Sequence, residues 1–232
     1  RYFEPENLRA AIRVLRAAGY DVFAPTPAAG RPYCCGRTYL SAGMVDKARA
    51  EAERLVTALY PLARSGVRIV GLEPSCTLAL RDEVPALLGT AQAEAVAEAT
   101  LTFAELIEAD RPDLPVPAAA ARRPVKLHGH CHQKAFDLVK PAEAVLRDIA
   151  GAEVEVIETS CCGMAGAFGY GRDTYDVSIH MAEASLLPAV RAAPDDAAIV
   201  ADGTSCRCQI DEGTGREAVH LARHLDRLIS GS

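Results

Sequence analysis

Eight cysteines carry most of the chemistry available to this 232-residue chain. Two pairs are adjacent and each runs into glycine: Cys34-Cys35-Gly36 and Cys161-Cys162-Gly163. Cys76, Cys131, Cys206 and Cys208 stand near the ends of predicted strands. Neighbouring cysteines bridge each other only under considerable strain. A chain that is 50% hydrophobic does not need disulfide staples. Thiolates gathered at strand ends suit metal ligation. Two adjacent cysteines chelate a single ion poorly, but they can bind different irons of one cluster. Glycines beside them, Gly36, Gly163 and Gly166, let backbone N–H groups approach the sulfurs. The alternative chemistry is that of buried or redox-active thiols.

Other polar groups frame these cysteines. His128, His130 and His132 alternate, so they share a face on extended chain. His130 and His132 flank Cys131 and are candidates for zinc ligation, cluster orientation or proton relay. His128 reads as a strand-end hydrogen-bonding group. His220 and His224 have the i, i+4 spacing of a metal pair, but no third ligand is near in sequence. Arg216, Arg223 and Arg227 give their helix the look of a solvated face. Glu73 and Asp202 precede the late cysteines at equivalent positions and suit loop hydrogen bonds. Gly166, Gly169 and Gly171 do not form a dinucleotide fingerprint, and no Walker motif is present.

Alternating helices and strands must position these groups. Helical periodicity covers Pro5 to Ala18, Met44 to Ala63, Ala91 to Glu108, Pro141 to Ile149, Thr174 to Val190 and Arg216 to Ile229. Short apolar runs predict strands at 21–24, 67–72, 125–128, 154–157 and 197–201. Such alternation implies parallel sheets, in which sites gather beyond the carboxyl ends of strands. Each half reads helix, strand, Cys-Cys-Gly, long helix, strand, Ser-Cys. From Cys35 to Cys76 is 41 positions, and from Cys162 to Cys206 is 44. An internal duplication accounts for this. The expected domains are 1–110, a Pro/Ala-rich linker at 111–124, and 125–232.

The pattern resembles the duplicated cysteine-rich CCG domain. That family occurs in heterodisulfide reductase B subunits, in glycolate oxidase iron–sulfur subunits and at the C-terminus of FAD-linked D-2-hydroxyacid dehydrogenases. Its repeat is a lone Cys, then Cys-Cys-Gly, then a cysteine pair. The second half supplies Cys131, Cys161-Cys162-Gly163, Cys206 and Cys208. Glu73-Pro74-Ser75-Cys76, His128-Gly129-His130-Cys131-His132 and Ser160-Cys161-Cys162-Gly163-Met164-Ala165-Gly166 are most similar to the flavin-fused version. The resemblance implies an α/β fold of two Rossmann-like repeats related by a pseudo-two-fold axis. It implies a [4Fe-4S] cluster, noncubane in some relatives, on Cys131, Cys161, Cys162, Cys206 and Cys208. Other relatives hold zinc in one repeat.

The chain departs from that pattern in two places. Its closing pair is Cys206-Arg207-Cys208 rather than Cys-x-x-Cys, and its first half has only Cys34, Cys35 and Cys76. Those three are expected to form a second metal site with a ligand from elsewhere, to share a site, or to be buried structural thiols.

Composition narrows the partners. A net charge of -6 argues against nucleic acid, and the absence of Trp argues against a base-stacking platform. No apolar run approaches the ~20 residues of a membrane span. The chain lacks an initiator Met and opens almost within a helix, as a fragment or a processed chain does. The resemblance implies an electron-transfer domain of a flavin-dependent 2-hydroxyacid dehydrogenase. FAD would sit on a separate domain or subunit, and a quinone or other carrier would accept the electrons. The expected location is cytoplasmic, or peripheral at the inner face of the membrane. A cluster-based disulfide reductase and a zinc-bound docking module are the alternatives.

Overall fold

The computed structural model describes residues 4–27, 30–117 and 123–231. The four alanines of the predicted linker lie outside them. The chain is α/β, with every paired strand parallel. It forms two compact units: Val22–Phe103, and Arg1–Asp21 together with Ala104–Ser232. Sequence partition groups the Pro5–Ala17 helix with the first half, whereas the compact units group it with the second.

In the smaller unit, β1 (Ile69–Gly71) pairs in parallel with β2 (Thr100–Thr102). The long Val45–Arg64 helix turns Ala52, Leu55, Val56 and Leu59 onto Leu80, Val84, Ala93 and Val96. β2 interrupts the helix predicted over 91–108, which is instead two helices, Ala91–Glu98 and Phe103–Asp110. Thr100-Leu101-Thr102 carries two β-branched residues, and its register against Ile69–Gly71 fixes the extended form. The strand predicted at 21–24 is irregular chain with Phe23 exposed, because no neighbouring strand pairs with it.

In the larger unit the strand order is β4-β3-β5-β6, with β3 at Pro124–His128, β4 at Glu153–Val156, β5 at Ala198–Ala201 and β6 at Ala218–Val219. β3 therefore lies between β4 and β5, and Leu127 is in register with Val156 on one side and Val200 on the other. The connections leave β3 toward opposite edges, which creates a switch point between β3 and β5. The helix predicted from Arg216 begins at Leu221, because Ala218 and Val219 are taken into the sheet. The segment predicted as one helix over 174–190 is two, Tyr175–Glu183 and Leu186–Arg191.

Two long-range clamps close this unit. The Pro5–Ala17 helix packs on the Leu221–Ser230 helix, and Arg13 Nε donates to Asp226 at 2.8 Å. The buried Arg207 guanidinium donates to Glu4 at 2.9 Å and to the Ala201 carbonyl at 2.8 Å. Arg207 thereby fastens the helix Thr204–Thr214 to the end of β5.

Candidate metal centre

Three strand ends deliver the cysteines of the larger unit. Beyond β3, His130 caps the short helix Cys131–Ala135, so Cys131 opens its first turn. Beyond β4, an irregular loop brings in Thr159 to Gly163. Beyond β5, Cys206 lies in the first turn of Thr204–Thr214. The region predicted as a strand-end loop from Asp202 to Cys208 is thus largely helical. Gly203 takes the extended N-cap position and the chain coils directly after it.

Four sulfurs form a continuous series: Cys131 meets Cys161, Cys161 meets Cys162, and Cys162 meets Cys206. Cys162 and Cys206 are buried, Cys161 is half-buried and Cys131 is exposed. Proton affinities alternate along the series. Hydrogen bonding to Cys161, with burial, pushes the Cys131 thiol up. Hydrogen bonds from Cys131 and Cys162, helped by the Gly163 N–H, hold Cys161 far below the ordinary thiol value. The contacts with Cys161 and Cys206, with burial, push Cys162 up. Cys206 is held down by Cys162, against burial, and by the adjacent His128. Neighbouring thiols thus share protons along the series, which favours thiolate within the array, the ionisation state that metals bind.

Backbone and counter-charge support it. The Gly163 N–H lies 3.3 Å from the Cys161 sulfur. Gly163 has φ +86°, and a Cβ there would fall 2.1 Å from the Ser178 carbonyl oxygen, so only glycine fits. At Gly203 a Cβ would meet His130 at 2.4 Å and the Cys206 sulfur at 3.3 Å. Lys134 brings a positive charge to the array: burial lowers its pKa while all four cysteines act to raise it. Its ammonium donates to the Thr159 carbonyl at 2.5 Å and hydroxyl at 2.7 Å, tying the helix of Cys131 to the loop of Cys161.

The histidines divide into two sets. His130 and His132 stack at 5.1 Å, with their Nδ1 atoms 3.8 and 3.9 Å from the Cys131 sulfur. The donor atoms of these three residues lie within 4.8 Å of one another. His130 Nδ1 also accepts the His132 N–H at 3.2 Å. His220 and His224 are buried, contrary to the solvated face expected from the arginines around them. The helix is amphipathic: His220 caps it and lies 3.5 Å from Asp202, and burial holds His224 down to about 4. Asp202 also accepts the Gln133 amide at 2.9 Å and the Leu221 N–H at 3.0 Å, while Gln133 accepts the His130 N–H at 3.0 Å.

Cys208 stands two residues beyond Cys206 on the same helix, where a 3.6-residue turn directs it elsewhere. Its sulfur meets the Tyr170 hydroxyl. Lys134, Thr159 and Gln133 were not singled out from sequence. Their only signal is nearness to cysteine, three residues after Cys131 for Lys134 and two before Cys161 for Thr159.

In the smaller unit Cys34 meets Cys35, and Cys35 meets Cys76. The Gly36 N–H lies 3.4 Å from the Cys34 sulfur. Cys76 lies in the first turn of the helix Pro74–Arg81, as Cys206 does in its own helix. Cys34 and Cys76 are exposed.

Residues 125–211 match the model of the cysteine-rich domain CCG, a span that contains all five cysteines of the larger unit. The chain is 27% identical over 222 residues to a subunit of the anaerobic glycerol-3-phosphate dehydrogenase of Escherichia coli, covering 94% of this chain and 54% of that protein. It is 30% identical over 223 residues to D-2-hydroxyglutarate dehydrogenase of Pseudomonas putida, covering 95% of this chain and 20% of that protein. The enzyme of that name from Pantoea ananatis is 25% identical over 234 residues, with 98% and 21% covered. The chain spans about half the length of the first of these relatives and about a fifth of the others. Through residues 125–211, the chain is similar to the cysteine-rich domain CCG.

Proposed function

We propose that Cys131, Cys161, Cys162 and Cys206 hold an iron–sulfur cluster, of the [4Fe-4S] class that the family resemblance implies. The chain would be the electron-transfer domain of a flavin-dependent 2-hydroxyacid dehydrogenase of D-lactate, glycolate or D-2-hydroxyglutarate type. The observation that carries this reading is the continuous series of four sulfurs from three strand ends, with thiolate favoured at Cys161 and Cys206. The donor set fits the group, being all sulfur, buried at Cys162 and Cys206, and matched by one ammonium at Lys134. Such a cluster accepts and releases single electrons when bound. The protein's own part is to keep four sulfurs converged, exclude water from Cys162 and Cys206, and supply N–H and ammonium groups toward negative charge. Hydride or electron-pair chemistry would belong to a flavin on another domain or subunit, with a quinone or other carrier as the final acceptor. That two relatives are named as D-2-hydroxyglutarate dehydrogenases supports a hydroxyacid substrate for the whole assembly.

A second reading has an observation of its own. His130, Cys131 and His132 form a compact donor group that suits zinc, which would make this a docking module. Anaerobic purification with iron, sulfide and zinc quantification separates the two. The expected sample is brown, contains iron and acid-labile sulfide, and gives an EPR signal in one redox state. A colourless sample with stoichiometric zinc and no sulfide sinks the electron-transfer reading.

A further inference from the structure

The last hydrogen bond between the ends of β3 and β4 runs from the Ile157 N–H to the Leu127 carbonyl at 2.9 Å. Beyond it the chain continues as the short helix of Cys131 on one side and the irregular loop of Cys161 on the other. Lys134 joins the two. It stands three residues after Cys131 on the same helix, the spacing that puts two side chains on one face. Its ammonium donates to the Thr159 carbonyl at 2.5 Å, the Thr159 hydroxyl at 2.7 Å and the Ser160 carbonyl at 3.4 Å.

Three features of this contact matter. The three N–H bonds of a lysine meet three oxygens of the loop, and none of those oxygens belongs to a cysteine. The tie is therefore made by protein groups alone and does not need a metal to form. The Ser160 carbonyl belongs to the peptide unit whose nitrogen is that of Cys161, so the positive charge stands one peptide unit from that cysteine. The backbone also leaves room for the lysine stem. A Cβ on Gly129 would fall 3.3 Å from Lys134 Cε and 2.5 Å from Val139 Cγ2. A side chain at 129 would crowd both.

We propose that Lys134 is a positioning residue of the metal centre: its ammonium latches the Cys131 helix to the Cys161 loop before metal binds, and its fixed charge raises the reduction potential of the cluster held there. Hydrogen bonds from an ammonium are roughly twice as strong as neutral ones, which suits a latch that must hold a loop in place. A reduced cluster carries one more negative charge than an oxidised one. A nearby cation therefore stabilises the reduced state more. The effect on potential rests on the iron–sulfur reading above, whereas the latch stands apart from it.

The test has two arms on the full chain. In the first, amide hydrogen exchange is followed in the metal-free protein. Lys134→Met is expected to speed exchange at Cys161 and Gly163 by about tenfold or more, with the strands of the sheet unchanged. In the second, the anaerobically purified chain is titrated with redox mediators and followed by EPR, with iron and sulfide counted. Lys134→Met is expected to titrate at a lower potential than wild type, and Lys134→Arg, which keeps the charge, to recover most of the difference. Should Lys134→Met fail to fold or to hold a cluster, Lys134→Gln keeps a donor without the charge and is expected to show the same lowered potential. Loop exchange at the wild-type rate in Lys134→Met overturns the latch. A wild-type potential in the uncharged variants, with the cluster intact, overturns the effect of charge and leaves the iron–sulfur reading standing. A wild-type chain without iron or sulfide overturns that reading and the claim on potential together, while the exchange arm still decides the latch.

Discussion

The two cysteine pairs share a local design and differ in what surrounds it. In each, a glycine at positive φ, +81° at Gly36 and +86° at Gly163, turns its N–H onto the first sulfur. In each, the second cysteine meets one in the first turn of a helix that follows a strand. The charged groups nearby differ. At Cys34 the Glu51 carboxylate, itself paired with Arg54 at 2.8 Å, adds weakly to the groups opposing thiolate formation. Beside the second set is the Lys134 ammonium. Cys34 is pushed up by Cys35 and by burial. Cys35 is held down by Cys34, but its hydrogen bond to Cys76 and burial outweigh this, raising it to about 12. The second set contains a fourth sulfur and a buried histidine, and two of its members favour thiolate. A shared turn therefore brings sulfurs together, and the two sets differ in the number of sulfurs and in the groups around them.

The contrast is most exposed to test at the late cysteines. Cys206→Ser should weaken metal binding by more than about 100-fold, beyond the effect typical of groups supporting a ligand. Cys76→Ser should leave the EPR signal of the larger unit intact. Loss of that signal in Cys76→Ser would mean that the two sets are not independent.

The glycines sharpen it next. An Ala Cβ at position 163 would sit 2.1 Å from the Ser178 carbonyl, and one at position 36 would sit 2.7 Å from that of Ala48. Gly163→Ala should cost about 4 kcal/mol and Gly36→Ala about 2 kcal/mol in urea unfolding of the metal-free chain. Equal costs would argue that both turns relax alike.

A smaller difference is expected at the acids before the late cysteines. Asp202 is buried and serves Gln133, Leu221 and His220, so Asp202→Ala should destabilise by about 3 kcal/mol. Glu73 is half-buried and accepts the Ser75 hydroxyl at 2.7 Å. Glu73→Ala should cost about 1 kcal/mol. The same unfolding midpoints measure both.

A pH slope also separates the two units. All six histidines lie at or beyond position 128, so the smaller unit has none. Burial lowers His224 from 6.5 to about 4. The unfolded chain therefore takes up this proton first as pH falls. Stability from this source is complete above about pH 6.5 and is lost between there and about pH 4. The loss is roughly 3 kcal/mol. His224→Gln should flatten the unfolding midpoint across that window. An unchanged slope would assign the acid sensitivity elsewhere.

What could be read from sequence followed the strength of local signals. Apolar β-branched runs located β1, β3, β4 and β5, and glycine after each cysteine pair marked the sulfur-facing turns. β2 and β6 were hidden because three and two residues leave no periodicity, and only partner strands make them extended. The site was legible in its cysteines, since thiol clustering is rare enough to stand out. Lys134 and Thr159 were not, because a lysine or threonine gains its role here from a neighbour 25 positions away. His220 and His224 were misjudged because the arginines suggested solvent all round, whereas the helix has one face buried.

The larger unit is discontinuous in sequence, and this bears on how the protein is made. Arg13 and Asp226 are 213 positions apart. During synthesis the Pro5–Ala17 helix emerges well before the Leu221–Ser230 helix it packs on. At typical elongation rates its apolar face waits on the order of 10 to 40 s for that partner. The smaller unit is complete well before then. Nascent chains should therefore expose the apolar face of the Pro5–Ala17 helix until its partner helix is made, a ready substrate for a chaperone. The larger unit, with its four converged sulfurs, closes only when the Leu221–Ser230 helix arrives.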